Sequence, residues 1–250
     1  MDVVDLSQGA LLWLVIATAF ASLISSVTGM AGGVLMFAAM SLCLPLRVLV
    51  PIHGAVQVFN NAARSWFLRR HIRWRMCLPF AVGATLGAAA TTLFIVRYIG
   101  EFFPLLLLAG LILYTLFKPA RLPDLKIPDR GFFWVGLITG GMGILVGAID
   151  PLLAVFFLRD DLSKEEIVGN KSLMQMFAHL TKVPAYLYLG FSFIDNAGLI
   201  LLLTVSAVVG ARLGLILLAR VSTRHFLQLM RLALMLAALR IGYQLIQMGV

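Results

Sequence analysis

Thr28-Gly29-Met30-Ala31-Gly32-Gly33 interrupts an apolar stretch running from Ala10 to Leu46, and Gly140-Gly141-Met142-Gly143 interrupts a second running from Gly131 to Leu158. Each stretch is long enough to enter a bilayer, whose hydrocarbon core of about 30 Å takes about 20 apolar residues as a helix. Glycine runs break helices and bare their N–H and C=O groups. Bare backbone at membrane depth is tolerated only inside protein or beside a water-filled cavity. The two breaks are therefore expected to meet each other near the bilayer middle and to avoid lipid.

The surrounding chain reads the same way. Hydrophobic residues make up 61% of the 250 and charged residues only 12%, with a mean hydropathy of +0.99. A soluble domain carries about 25% charged residues, so the excess apolar surface must face lipid. Further apolar segments run over Val48 to Leu68, Met76 to Val96, Phe102 to Phe117, Ile167 to Leu189, Ala197 to Ala219 and Phe226 to Met248. With the two broken stretches this makes about eight hydrophobic segments. The expected fold is an all-α integral membrane protein. The longest polar stretch, Lys118 to Arg130, is too short to bury a core of its own. The formal charge of +9 fits cytoplasmic loops under the positive-inside rule and argues against nucleic acid, since no basic surface domain exists. Met1-Asp2-Val3-Val4-Asp5 lacks the basic start of a secretory signal, so the first apolar segment is expected to stay in the mature protein. Cys43 and Cys77 offer neither metal-ligand spacing nor a disulfide framework.

The second half echoes the first. Leu23-Ile24 followed by Gly29 and Gly33 matches Leu137-Ile138 followed by Gly143 and Gly147. Gln57-Val58-Phe59 matches Gln175-Met176-Phe177, which sets Arg64 opposite Lys182. Gly83-x-x-x-Gly87 matches Gly210-x-x-x-Gly214, and both read as close helix contacts. Their common order indicates a duplicated unit, as in secondary transporters. The units are 1–118, a first membrane repeat, and 131–250, a second, joined by a cytoplasmic linker at 119–130.

Charge counting sets their relation. If each broken stretch crosses once, Arg69, Arg70, Arg73, Arg75, Lys118, Arg121, Lys126 and Arg130 lie inside. Arg47, Arg97, Arg159, Lys164, Arg220 and Arg224 then lie outside. If each is a hairpin returning to its own side, three more helices cross per repeat and the repeats are inverted. Only Arg47 and Arg97 then stay outside, with the acidic N-terminus and the Phe191 to Asn196 loop. The second arrangement fits the positive-inside rule far better and puts both termini outside. It sets Cys43 near the outer surface and Cys77 near the inner one, too far apart to bridge.

Polar side chains at membrane depth are costly and mark partner helices or substrate paths. Gln57, Asn60, Asn61 and Arg64 follow the i, i+3, i+4, i+7 spacing of one helix face, and Gln175, His179 and Lys182 follow i, i+4, i+7. Amides, an imidazole and two cations, with backbone N–H groups from Gly29, Gly32, Gly33, Gly143 and Gly147, suit a small oxyanion. The competing reading is interhelical hydrogen bonding by the amides and snorkelling by Arg64 and Lys182. Asp150, followed by Pro151, is a carboxylate well inside an apolar stretch. It reads either as a proton or cation site or as a helix cap. His179 is the second candidate proton carrier. Ser163-x-x-Glu166 has the form of a capping box.

The paired breaks, Gln57-Val58-Phe59-Asn60-Asn61-Ala62-Ala63-Arg64 leading into Arg69 to Trp74, and Asn170 to Lys182 followed by Pro184 and Tyr186 to Gly190, resemble the sulfite exporter TauE/SafE family over most of the chain. The resemblance implies transport of sulfite, sulfonates or small carboxylates across a bacterial or archaeal inner membrane. Ala31, Ala148 and Asp150 stand where the family's hairpins usually carry glycine.

The expected function is secondary transport of small anions by alternating access at a midplane site, with proton coupling left open. The alternatives are a membrane-embedded enzyme acting on a lipid-linked substrate, and an anion channel. No nucleophile–base pair, carboxylate pair or metal cluster is spaced for catalysis, no phosphate-binding P-loop is present, and no cofactor or metal is expected. The expected partners are a small anion and membrane lipids, and a homo-oligomer is left open.

Overall fold

A computed structural model describes residues 6–95, 102–117, 127–146, 150–159, 161–188 and 190–247. Among these residues all regular structure is helical. Ser7 caps α1 (Gln8–Thr28), accepting from the Ala10 amide at 3.2 Å. The interruption falls where the glycine run places it. Gly29 ends α1 at φ 73°, and Ala31 also sits in the left-handed region at φ 72°. That conformation is free for glycine and strained for alanine.

The chain then reverses into α2 (Gly32–Met40). Only glycine fits at position 32, because a Cβ there would overlap Ser25. At the far end the Trp13 indole donates to Ala39 O at 3.2 Å, so α2 folds back along α1. Nine residues rise about 13 Å, which brings the chain part of the way back before α3 (Leu46–Phe67) sets off in the direction of α1. A 3₁₀ turn (Arg69–His71) leads to α4 (Trp74–Ala90), extended by a π turn (Thr91–Ile95), and α5 (Phe102–Phe117) follows. After a 3₁₀ turn (Asp129–Gly131) come α6 (Phe132–Val146), α7 (Asp150–Phe157), α8 (Lys164–Leu180), α9 (Val183–Tyr188), α10 (Ala197–Arg220) and α11 (Thr223–Gln247).

Two sequence expectations need correction. Gly140, Gly141 and Gly143 do not break the helix but lie within α6, and α7 begins at Asp150. Gly147 lies outside the described residues. The glycines of α6 serve close packing instead, since a Cβ on Gly136 or Gly140 would overlap the carbonyls of Phe80 or Ala84 in α4. The segment from Ile167 to Leu189 is two helices, α8 and α9, parted at Thr181–Lys182.

The glycine pairs lock helices together as their spacing predicts. Gly83 and Gly87 of α4 meet the carbonyls of Phe133 and Leu137 in α6, and Gly210 and Gly214 of α10 meet those of Ala19 and Leu23 in α1. Absence of a side chain lets backbones approach closely, which is how helices associate where lipid removes the hydrophobic drive.

Helices α3 and α8 cross antiparallel. His53 near the start of α3 faces His179 near the end of α8, with ring centroids 5.9 Å apart. At the other end Leu68 presses on Gly169, and Asn170 Oδ1 accepts from the Arg73 amide at 2.6 Å. That end gathers the cations. Arg73 pairs with Glu166 at 2.7 Å, and Lys164 donates to the last carbonyls of α10, reaching Leu218 O at 2.6 Å. The Ser163–Glu166 capping box is formed.

Among the described residues four helices are long and apolar enough to cross a membrane: Gln8–Thr28, Trp74–Phe94, Ala197–Arg220 and Thr223–Gln247. Leu12, Ile16 and Phe20 of α1 and Leu201, Val205 and Val209 of α10 are more than half exposed at i, i+4 spacing. Such apolar outer faces fit contact with acyl chains.

Candidate functional site

The centre of the fold is polar. Gln57, Asn60, Asn61 and Arg64 share the buried face of α3, and Lys171, Gln175 and His179 share that of α8. Lys182 is buried in the turn that follows. This crossing brings together the polar stripes that the sequence singles out.

The first break supplies partners from one side. Ser22 of α1 donates to Asn60 Oδ1 at 2.8 Å, and Asn60 Nδ2 donates to Gln57 Oε1 at 3.2 Å. Asn60 is thus engaged between helices. Arg64 is 2% exposed and does not snorkel. Its guanidinium donates to Ser25 Oγ at 3.1 Å and to Ser22 Oγ at 3.4 Å.

Gly33 is the meeting point of the break with the rest of the site. Its N–H donates to Asp150 Oδ2 at 3.1 Å, and its carbonyl lies 3.0 Å from His53 Nε2. A carbonyl only accepts, so His53 carries its proton on Nε2 in this contact. A Cβ at position 33 would come within 2.7 Å of Gln57 Nε2 and 2.8 Å of Asp150 Oδ2. Glycine at position 33 thus lets the Gln57 amide and the Asp150 carboxylate close on the break. Gly29 contributes its carbonyl, which accepts from Lys171 Nζ at 2.6 Å. Gly32 faces α1 rather than the crossing, and Gly143 is buried within α6.

Asp150 opens α7 and is 5% exposed. Besides Gly33 it meets Lys171, whose Nζ lies 3.5 Å from Oδ1. The carboxylate thus joins the start of α7 to the first break and to α8. Lys171, 1% exposed, escapes the sequence reading. Two signals point to it: it lies one turn before Gln175 on the same stripe, and it falls opposite His53 when Gln57 is set against Gln175. Ser22 and Ser25 are missed as well, because serines in an apolar helix read as packing.

Buried polar atoms are nearly always hydrogen-bonded. Among the described residues five buried side-chain atoms have no partner, and three of them belong to this crossing: Asn61 Oδ1, Arg64 Nε and His179 Nδ1. A buried guanidinium held by neutral hydroxyls, with an unpartnered Nε, can receive an oxyanion. Among the described residues no group of three histidine, cysteine or acidic side chains could hold a metal ion.

The model of the sulfite exporter TauE/SafE family matches residues 14–241. The chain belongs to that family. The TauE/SafE match spans both breaks and both polar helices, and family membership makes the protein a multi-pass membrane transporter for sulfur-containing anions such as sulfite. Neither the curated proteins nor the solved structures give a significant match.

Proposed function

We propose that this TauE/SafE chain carries sulfite or a small organic sulfonate across the membrane by alternating access, binding it where α3 crosses α8. The observation that carries this reading is Arg64: a buried guanidinium with hydroxyl partners and an unpartnered Nε. Uncompensated charge at membrane depth is costly, and a bound anion supplies the compensation. Gln57, Asn61 and Gln175 give hydrogen-bonding capacity along the same crossing towards His179, and Lys182 adds positive potential beyond it.

The same reading takes residues 1–118 and 131–250 as inverted repeats, each with a hairpin at its start. Three observations support it. The helices α3 and α8, which carry matching glutamines, cross antiparallel. Gly83 meets Phe133 as Gly210 meets Ala19, and Gly87 meets Leu137 as Gly214 meets Leu23. Those are the same leucines that pair the two halves in sequence. The gathering of Arg73, Lys164 and the end of α10 at one end of the molecule supports a cytoplasmic placement of that end. Both termini then lie outside, in a bacterial or archaeal inner membrane.

The test is anion-dependent thermal stabilisation of the purified protein with sulfite, thiosulfate, sulfoacetate, sulfolactate, taurine, acetate, glycolate and sulfate. A ligand bound only by the folded state raises its stability by mass action. A shift with a sulfur oxyanion, lost in Arg64→Gln, is expected. The absence of any shift across the panel would overturn the reading.

A further inference from the structure

We propose that the cavity between the end of α10 and the start of α11 holds the phosphate head group of an anionic phospholipid, whose acyl chain then lies along α11. The site is separate from the crossing of α3 and α8 and does not depend on which anion is carried.

The cavity has a volume of about 450 Å³, in the range of small-ligand pockets. Arg220, Ser222, His225 and Gln228 form its polar wall, and Leu229 and Leu232 lie on its apolar one. Arg220 is exposed, and among the described residues no carboxylate pairs with it. Ser222 Oγ accepts from the His225 amide at 3.3 Å and lies 2.7 Å from His225 Nδ1. Engaging Nδ1 leaves Nε2 as the ring nitrogen open to a ligand. Arg224 stands exposed in the same turn, and the amino end of α11 adds partial positive charge.

The backbone does not oppose an anion here. The last carbonyls of a helix carry the negative end of its dipole. In α10 they are taken by Lys164, whose Nζ donates to Leu218 O at 2.6 Å, to Ala219 O at 3.3 Å and to Val221 O just beyond the helix. The turn therefore offers cations to the cavity while its carbonyls are satisfied from the start of α8.

The apolar continuation selects a lipid over a free phosphate. Leu232, Leu236 and Leu239 are 54%, 58% and 67% exposed. Their i, i+4, i+7 spacing makes one face of α11 that leads from the cavity into the bilayer. A phosphate bearing an acyl chain covers both walls, whereas a soluble phosphate leaves the apolar wall to water. Basic pockets between transmembrane helices at the cytoplasmic side suit anionic head groups, and this is the end assigned above to the cytoplasm.

The same turn touches the first break. Phe226, which follows His225, is fully buried, and its ring lies 3.0 Å from where a Cβ on Gly29 would stand. Gly29 in turn accepts from Lys171. One turn of α11 thus meets the head group on its outer side and backs the break on its inner side. A bound lipid braces that turn.

The experiment uses the full chain in neutral detergent. Native mass spectrometry follows retained lipid during titration with dioleoyl phosphatidylglycerol or dioleoyl phosphatidylcholine. Wild type is expected to hold phosphatidylglycerol about tenfold more tightly than phosphatidylcholine. The double variant Arg220→Gln, His225→Gln should lose that preference. Arg240→Gln, about 22 Å further along α11, should keep it. Phosphatidylglycerol should also raise the melting temperature of wild type and leave that of the double variant unchanged. Equal retention of the two lipids by wild type overturns the site. So does a loss in Arg240→Gln as large as in the double variant, which would mean diffuse attraction of charge. Displacement of the lipid by glycerol phosphate at equal concentration overturns the lipid as occupant and puts a soluble phosphate ester in its place.

Discussion

Arg64 reaches back 39 residues to donate to Ser25 at 3.1 Å, so a single guanidinium ties the helix after the first break to the helix before it. Replacing it removes both the tie and the positive charge. Arg64→Gln is expected to weaken sulfur-oxyanion binding by about 10- to 100-fold, the loss of a charge-assisted hydrogen bond. Arg64→Lys should recover part of this, because it restores charge without the fork. Ligand-induced thermal shifts on inserted protein measure both.

The crossing of α3 and α8 makes a separate demand. Gln57→Ala, Gln175→Ala and His179→Ala should each lower uptake into proteoliposomes while the protein remains folded and inserted. Wild-type rate and affinity in all three would remove the crossing as the binding site.

The glycine contacts predict a contrast within one residue type. Gly83→Ala and Gly210→Ala drive a methyl into a facing carbonyl and should destabilise by about 1–3 kcal/mol, as overpacking does. Gly9→Ala and Gly242→Ala meet nothing within 4 Å and should be neutral or slightly stabilising, because alanine favours helix. Thermal unfolding in detergent would show the split.

Ala31 holds a left-handed backbone at φ 72°. Ala31→Gly should relieve strain and raise stability by about 0.5–1 kcal/mol. An unchanged or lower melting temperature would mean that the conformation carries no strain.

Orientation can be read with an impermeant thiol reagent on a Cys43→Ala background. Ile194→Cys, at a position 87% exposed in the loop before α10, should label from outside, and Arg224→Cys only after the cytoplasmic face is opened. Labelling of both from the same side would refute the assigned topology.

Much of this was legible because lipid makes sequence patterns blunt. The run Gly29 to Gly33 reads as a break and ends α1, and the i, i+3, i+4, i+7 spacing of Gln57 to Arg64 reads as one helix face, which the structure buries. The second break was misplaced for a physical reason. Glycine serves both tight turns and close helix contact, and Gly140 and Gly141 do the second while resembling the first. Lys171 was passed over because a lysine two turns from a charged helix start reads as a solvated cation. Its counter-ion, Asp150 at the start of α7 and 21 residues away in sequence, helps to make its burial tolerable. The partner of a buried charge is a tertiary fact, and no local pattern carries it.

The glycine contacts that join α1 to α10 also constrain how the protein is made. Ala19 and Leu23 are translated almost two hundred residues before the bare backbone they nest against, Gly210 and Gly214. At about 5–20 residues per second the wait is on the order of ten seconds or more. Throughout that interval the groove of α1 has lipid or the insertion machinery for company. Truncated chains stalled before Gly210 should therefore be recognised as incomplete by membrane proteases, and biogenesis of the first hairpin becomes a post-insertion event.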